Sequence, residues 1–229
     1  MAGRRSGSGL ASTGCTRRVA SESSGPTPSP PPQGLGAIEE NAASFLRRIA
    51  HNDPRAFITT AQAKRLEAKI KQVAASPSLA ENINAAGSGS SRIAALAREN
   101  SLKPQFVAVA GIWHLAGRSG DPAKSAEAMM PILGKLSTHL GTEFGEDALL
   151  VIAAYRQGEA GEFLKMRNML QSLSNQFPDS SRAIRTIWFL EENRKITASE
   201  FDAALTFLAI GAITQNPQAF GVNAKALTL

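Results

Sequence analysis

The apolar residues from Ile38 to the C-terminus recur at intervals of three and four positions. In the segment that opens at Thr60, apolar side chains at 63, 66, 70 and 73 share one face of a helix, and charged residues occupy the others. No segment alternates between apolar and polar residues as a half-buried strand would. The pattern therefore predicts an all-α domain of about eight to ten helices over residues 38–229.

Two of the predicted helices, Pro104–Leu115 and Ala148–Tyr155, are apolar on nearly every side. A helix without a polar face has to be surrounded by other helices, so both are expected in the centre of the domain. The helix that begins at the capping box Thr197-Ala198-Ser199-Glu200 is equally apolar. We predict that its stripe of Phe201, Leu205, Leu208 and Ala212 belongs to the core.

Local signals predict how other helices begin or break. Ser78 with Glu81 has the spacing of a second capping box. Pro131 lies inside a helical pattern and is expected to kink that helix or split it in two. A further helix, which carries Trp188, is expected to open at Ser180 or Ser181.

The composition changes at about residue 36. Residues 1–36 consist mainly of Gly, Ser, Pro and Arg with few large apolar side chains, so burial cannot offset the entropy of ordering them. We predict a disordered tail or linker, stiffened by the prolines of Pro26–Pro32. A linker at this position suggests the C-terminal module of a longer protein.

The charge and the single cysteine exclude several classes of function. The net charge is +6, and half of it comes from four arginines and Glu22 in the tail, so the domain lacks the basic excess of a nucleic-acid binder. The lone Cys15 builds neither a disulfide framework nor a thiolate metal site, and no cofactor is expected. An apolar signal core and a membrane span are also missing. As written, the chain is expected in the cytoplasm, or in the cell envelope if an upstream export segment is missing.

Four sequence features resemble the soluble lytic transglycosylases over about residues 90–195. They are the helix from Pro104 to Leu115, the loop from Gly117 to Pro122, the segment Ser125–Pro131 and the run Ala153-Ala154-Tyr155. The resemblance implies a lysozyme-like fold. In that family a glutamate at the end of the first helix serves as general acid and then as base, and burial raises its pKa.

This chain departs from the family at the positions that matter for catalysis. The expected glutamate falls near Leu115, and Ala116 occupies the position of the usual serine. After Tyr155, Arg156 replaces the family's asparagine. No catalytic residue is therefore assigned, and the three histidines have no metal-ligand spacing.

The expected function is a non-catalytic lysozyme-like module that binds cell-wall glycan or an envelope protein. The candidate substrate-binding residues are Trp113, Tyr155, Arg156, Gln157 and Glu159. A helical protein-interaction module is the alternative, and an active peptidoglycan lytic transglycosylase is the third possibility. The third requires a replacement acid among Glu127, Glu143, Glu146, Glu159 and Glu162, each expected to be a solvated carboxylate at a helix end. A long groove lined by aromatic and polar residues would distinguish the glycan-binding module from the protein-interaction module.

Overall fold

The computed structural model describes residues 34–229, and this part of the chain is helical without any strand. Its eleven α-helices are α1 Leu35–Ile49, α2 Thr60–Ala74, α3 Leu79–Ser88, α4 Ser90–Glu99, α5 Pro104–His114, α6 Pro122–Leu140, α7 Gly145–Ala153, α8 Tyr155–Glu159, α9 Lys165–Gln176, α10 Ile187–Glu192 and α11 Ala198–Gln215. Three short 3₁₀ turns lie at Pro178–Ser180, Ala183–Arg185 and Pro217–Phe220. The predicted all-α class is confirmed.

The helix count exceeds the expected eight to ten because two helix pairs are separated by single residues. Gly89 alone divides α3 from α4, and Ala154 alone divides α7 from α8. The predicted tail lies outside the described residues, except for its last three positions. There α1 begins at Leu35, immediately after Gly34 in a left-handed conformation with φ 94°.

The centre of the domain is built from α5, α7 and α11, as their apolar sequences predict. Every residue of α5 from Gln105 to Ile112 is buried, and so is every residue of α7 from Asp147 to Ala153. Helix α11 packs against α1, α2, α5 and α7. The ring of Phe207 on α11 lies 5.4 Å from the rings of both Phe45 and Phe106. The predicted stripe on α11 is buried along its whole length.

Three local predictions need correction. Ser78 does not cap α3, since its hydroxyl donates to the carbonyl of Gly117 instead. Pro131 does not split α6, which continues past it as one helix to Leu140, while a kink at Pro131 stays a prediction. No α-helix opens at Ser180 or Ser181, where the chain forms 3₁₀ turns, and α10 begins only after its N-cap Thr186.

Candidate functional site

A groove crosses the domain at the C-terminal end of α5. It consists of two cavities of about 240 and 290 Å³ that share the lining residues Trp113, Ala116, Asp202 and Thr206. The first cavity extends between α2 and α3, and the second extends over the start of α8. We call these two adjoining cavities together the Trp113 groove.

Close packing places the end of α5 in the groove. Gly111 lies against α6, where a Cβ atom would come 2.1 Å from the carbonyl oxygen of Pro122. The helix then ends through two residues in the left-handed region, Ala116 with φ 49° and Gly117 with φ 79°. An alanine in this conformation is unusual, so the surrounding structure has to hold it there.

Helix α3 provides that support through its polar side chains. Asn82 donates from Nδ2 to the carbonyl of Arg118 at 2.9 Å and accepts from the backbone N–H of Gly120 at 3.2 Å. Ser119 donates to the carboxylate of Glu81 at 2.7 Å. Together with the bond from Ser78 to Gly117, these contacts anchor the loop between α5 and α6 beside the groove.

Trp113 and Tyr155 form an aromatic corner in the groove. Their rings meet edge to face at a centroid distance of 5.6 Å. Tyr155 is only 3% exposed, and burial raises the pKa of its phenol. Its ring also contacts His114, whose Nδ1 forms a 3.0 Å hydrogen bond with Ser125. Tyr155 is therefore the buried member of the pair and packs against Trp113. The partly exposed Trp113 presents the accessible aromatic surface.

An ion pair between α2 and α11 lies in the lining of the groove. Nζ of Lys69 lies 2.6 Å from Oδ1 of Asp202. The lysine side chain is 14% exposed and the aspartate side chain 58% exposed. Asp202 is the only carboxylate among the residues that line the groove. Asp202 is therefore an exposed carboxylate that already has a cationic partner.

The structure brings together three of the five predicted site residues. Trp113, Tyr155 and Arg156 line the same cavity. Gln157 is buried and turned toward α11, where its Nε2 donates to Glu200 at 2.6 Å. Glu159 is not a lining residue and pairs with Arg156 at 2.6 Å.

The sequence-based prediction missed the groove residues on α2 and α11. Ser199, Asp202 and Thr206 recur at three and four positions within an otherwise apolar helix. Such a polar stripe on a core helix is a signal that one face of it reaches an open surface. On α2, Lys69 and Gln72 were indistinguishable from the other polar residues of a surface helix.

Among the glutamates considered as replacement acids, Glu146 differs from the rest. Glu127, Glu159 and Glu162 pair with neighbouring cations, and Glu143 is exposed. Burial raises the pKa of Glu146 to about 7, so the expectation of a solvated carboxylate is wrong for this residue. However, Glu146 lies at the start of α7, and Tyr155 follows the end of that helix. At about 1.5 Å per residue, roughly 13 Å of helix separates Glu146 from the groove.

Three further findings concern metal binding, membrane spans and similarity to known proteins. Within residues 34–229, no three His, Cys, Asp or Glu side chains cluster closely enough to hold a metal ion. None of the described helices combines the length and the apolar character needed to cross a membrane. No protein-family model, curated protein or solved structure matches the chain. The functional assignment therefore depends on the geometry of the Trp113 groove.

Proposed function

We propose that this domain is a non-catalytic lysozyme-like module that binds a cell-wall glycan strand in the Trp113 groove. The observation that supports the proposal best is the position of the groove. It opens at the C-terminal end of α5, beside Ala116 and Tyr155. The resemblance to lytic transglycosylases implies a sugar cleft at the end of this same helix.

The chemistry of the lining suits a sugar polymer. The exposed part of the Trp113 indole offers an apolar surface against which the C–H face of a pyranose ring can pack. Gln72, Ser76 and Thr206 supply amide and hydroxyl groups around it. A mainly apolar pocket with a few placed polar groups is typical of small-molecule and glycan sites.

The same groove lacks what cleavage of the glycan requires. Leu115 and Ala116 occupy the positions where the family carries its acid and its serine. Asp202 is paired with Lys69, and Glu146 lies at the far end of α7. Binding without cleavage of the glycan is therefore the function that the geometry favours.

Sedimentation with purified cell-wall sacculi tests the proposal. Trp113→Ala removes the exposed aromatic surface, and we expect at least a tenfold loss of affinity by analogy with anchor residues in other binding sites. Phe57→Ala is the matched control, because Phe57 is 70% exposed and lies outside the groove. It should bind within about twofold of the wild type, since it leaves the proposed site intact.

A second pair of variants separates lost binding from lost folding. Gln72→Ala and Thr206→Ala change groove residues that are exposed or partly exposed, so the fold should be retained. Like Trp113→Ala, the combination of Gln72→Ala and Thr206→Ala should weaken binding to sacculi. Wild-type protein that stays in the supernatant, or equal affinity for all variants, would contradict the proposal.

The protein-interaction module remains the second candidate because large apolar side chains are exposed elsewhere. Phe57 is 70% exposed, Leu164 43% and Phe177 41%. Single exposed apolar residues are common on monomeric proteins, so these three alone do not define an interface. A protein partner whose binding is lost in Phe57→Ala and retained in Trp113→Ala would favour this candidate over glycan binding.

A further inference from the structure

A cavity of about 300 Å³ lies between the C-terminal end of α6, one face of α9 and the segment between α9 and α10. It shares no lining residue with the Trp113 groove. None of its nine lining residues is an aspartate or a glutamate. Its polar lining residues all carry hydrogen-bond donors, and they are His139, Arg167, Gln171, Ser174, Ser181 and Arg185. The lining therefore offers donors and positive charge without a carboxylate of its own.

Helix α9 contributes one face to this cavity. Arg167, Gln171 and Ser174 are spaced by four and three residues, so they lie on the same side of the helix. Leu170 on this side is buried, and with the buried Ile184 it adds an apolar part to the lining. Helix α9 contains no acidic residue. Its polar face toward the cavity is therefore made of donors.

Arg167 supplies a positive charge that no neighbouring acid neutralises. Within residues 34–229 its guanidinium makes neither an ion pair nor a hydrogen bond, and Glu162, just before α9, bonds to Lys165 at 2.7 Å. Arg167 is exposed, so a ligand can reach it from solvent. A planar guanidinium with five N–H donors matches the oxygens of phosphate and carboxylate groups.

Arg185 supplies a second guanidinium that is held in place. Its Nε and Nη2 atoms donate to Oδ1 of Asp147 at 3.0 and 2.7 Å, and Nη2 also donates to the carbonyl of Leu140. Its Nη1 atom has no partner among the described residues, which leaves two N–H groups for a ligand. Because Asp147 balances the charge of Arg185, the net positive charge of the cavity comes from Arg167.

We propose that this cavity binds the phosphate group of a small molecule, which is inorganic phosphate or a phosphate monoester. Arg167 contributes the charge, and Nη1 of Arg185 and the hydroxyls of Ser174 and Ser181 contribute further donors. A phosphate group presents three strong acceptor oxygens, one more than a carboxylate, and so uses donors from two segments of the chain better.

The size and the apolar part of the lining also suit such a ligand. A volume of about 300 Å³ is at the lower end of the range for small-molecule sites. Leu170 and Ile184 offer an apolar surface to the carbon part of an ester. The proposal does not depend on what the Trp113 groove binds, because the two sites have no residue in common.

Calorimetric titration of the full-length chain with inorganic phosphate tests the proposal. We expect one site per chain with a Kd of about 1 mM or tighter, and binding of acetate at least about tenfold weaker at the same ionic strength. A parallel titration with glycerol phosphate distinguishes the two sources. Tighter binding of the ester identifies a phosphate monoester as the ligand, and equal or weaker binding identifies inorganic phosphate. Absence of saturation by either compound at about 10 mM, or equal binding of acetate, overturns the proposal.

Arg167→Gln should weaken phosphate binding by about tenfold or more, since it removes the guanidinium and its charge. Arg98→Gln is the matched control, because Arg98 is also an exposed helical arginine and lies in α4, outside the cavity. It should bind phosphate within about twofold of the wild type. Both positions are exposed, so both variants should unfold in urea like the wild type. Equal affinities of the two variants would show that phosphate responds to overall charge and would overturn the proposal.

Nuclear magnetic resonance locates the bound phosphate independently of any substitution. Titration with inorganic phosphate should shift the backbone amide signals of α9 and of residues 178–186 in the wild type. The same titration of Arg167→Gln should leave these signals in place at the phosphate concentration that half-saturates the wild type. Shifts confined to other parts of the chain would contradict a site in this cavity.

Discussion

Phe45 on α1 lies directly over Gly211 on α11, so that a Cβ atom at Gly211 would come 2.1 Å from Cε1 of the ring. Real Cβ atoms do not approach that closely, and Phe45 is completely buried between helices. Because Gly211 has no side chain, the ring of Phe45 fits against the backbone of α11. This fit also lets the ring of Phe45 reach that of Phe207 at 5.4 Å.

Gly211→Ala should destabilise the domain strongly. Inserting atoms into a closely packed core costs about 1–3 kcal/mol, and a buried ring with no space to move places this site at the upper end. Gly36→Ala is the control, because a Cβ atom there meets nothing within 4 Å and the residue lies in α1. We expect that variant to be neutral or slightly stabilised in urea unfolding. Equal midpoints for the two variants would show that α1 and α11 pack less closely than described.

Leu208→Ala should lower the free energy of unfolding by about 2–5 kcal/mol, the usual cost of truncating a leucine in a core. Leu208 is fully buried in α11. Leu164→Ala, at a position that is 43% exposed, should change stability by less than about 1 kcal/mol. If Leu208→Ala unfolds at the wild-type urea concentration but loses self-association, the stripe on α11 is an interface.

Thr197→Ala should cost about 0.5–2 kcal/mol, because it removes the N-cap of α11. The Thr197 hydroxyl accepts from the N–H of Glu200 at 3.2 Å, and the Glu200 carboxylate accepts from the N–H of Thr197 at 2.7 Å. Ser199→Ala, in the same first turn, leaves both bonds intact and should unfold like the wild type. Identical thermal midpoints for the two variants would argue against the capping box.

Stability should fall as the pH rises from about 4.5 to 7, because Glu146 keeps its proton in the folded state and loses it in the unfolded chain. The stabilising contribution is complete below the ordinary pKa of 4.5 and is lost as the pH passes about 7. A shift of this size corresponds to roughly 3 kcal/mol as an upper limit. Urea titrations of wild type and Glu146→Gln should therefore diverge over this range, and parallel pH profiles would refute the buried-acid assignment.

The purified domain should release no anhydro-sugar products from cell-wall sacculi. Leu115 and Ala116 occupy the positions of the acid and the serine, and Asp202 in the groove is ion-paired. A lytic transglycosylase serves as the positive control. If products do appear, the domain is an enzyme, and loss of product in Asp202→Asn or in Glu146→Gln identifies the acid.

The helical class and the position of the central helices can be predicted from the sequence alone. The period of apolar residues in α2 and the unbroken apolar runs 106–113 in α5 and 148–153 in α7 depend only on neighbours within a few residues. The cap at Thr197 is equally local, since its hydrogen bonds span three residues. The predictions of helices and of the cap at Thr197 are confirmed because the residues that set the local geometry are also the residues whose burial or hydrogen bonds stabilise it.

The tertiary structure alone decided which polar residues depart from the role that their local sequence predicts. Ser78 has the spacing of a cap, yet it bonds to the loop after α5, because that loop packs against α3. Glu146 has the sequence context of a solvated helix end, yet the segment before α10 closes over it and raises its pKa. Lys69 and Asp202 meet across the groove from helices far apart in the chain. Contacts between distant segments carry no local pattern, because each partner's environment is created only when the helices pack.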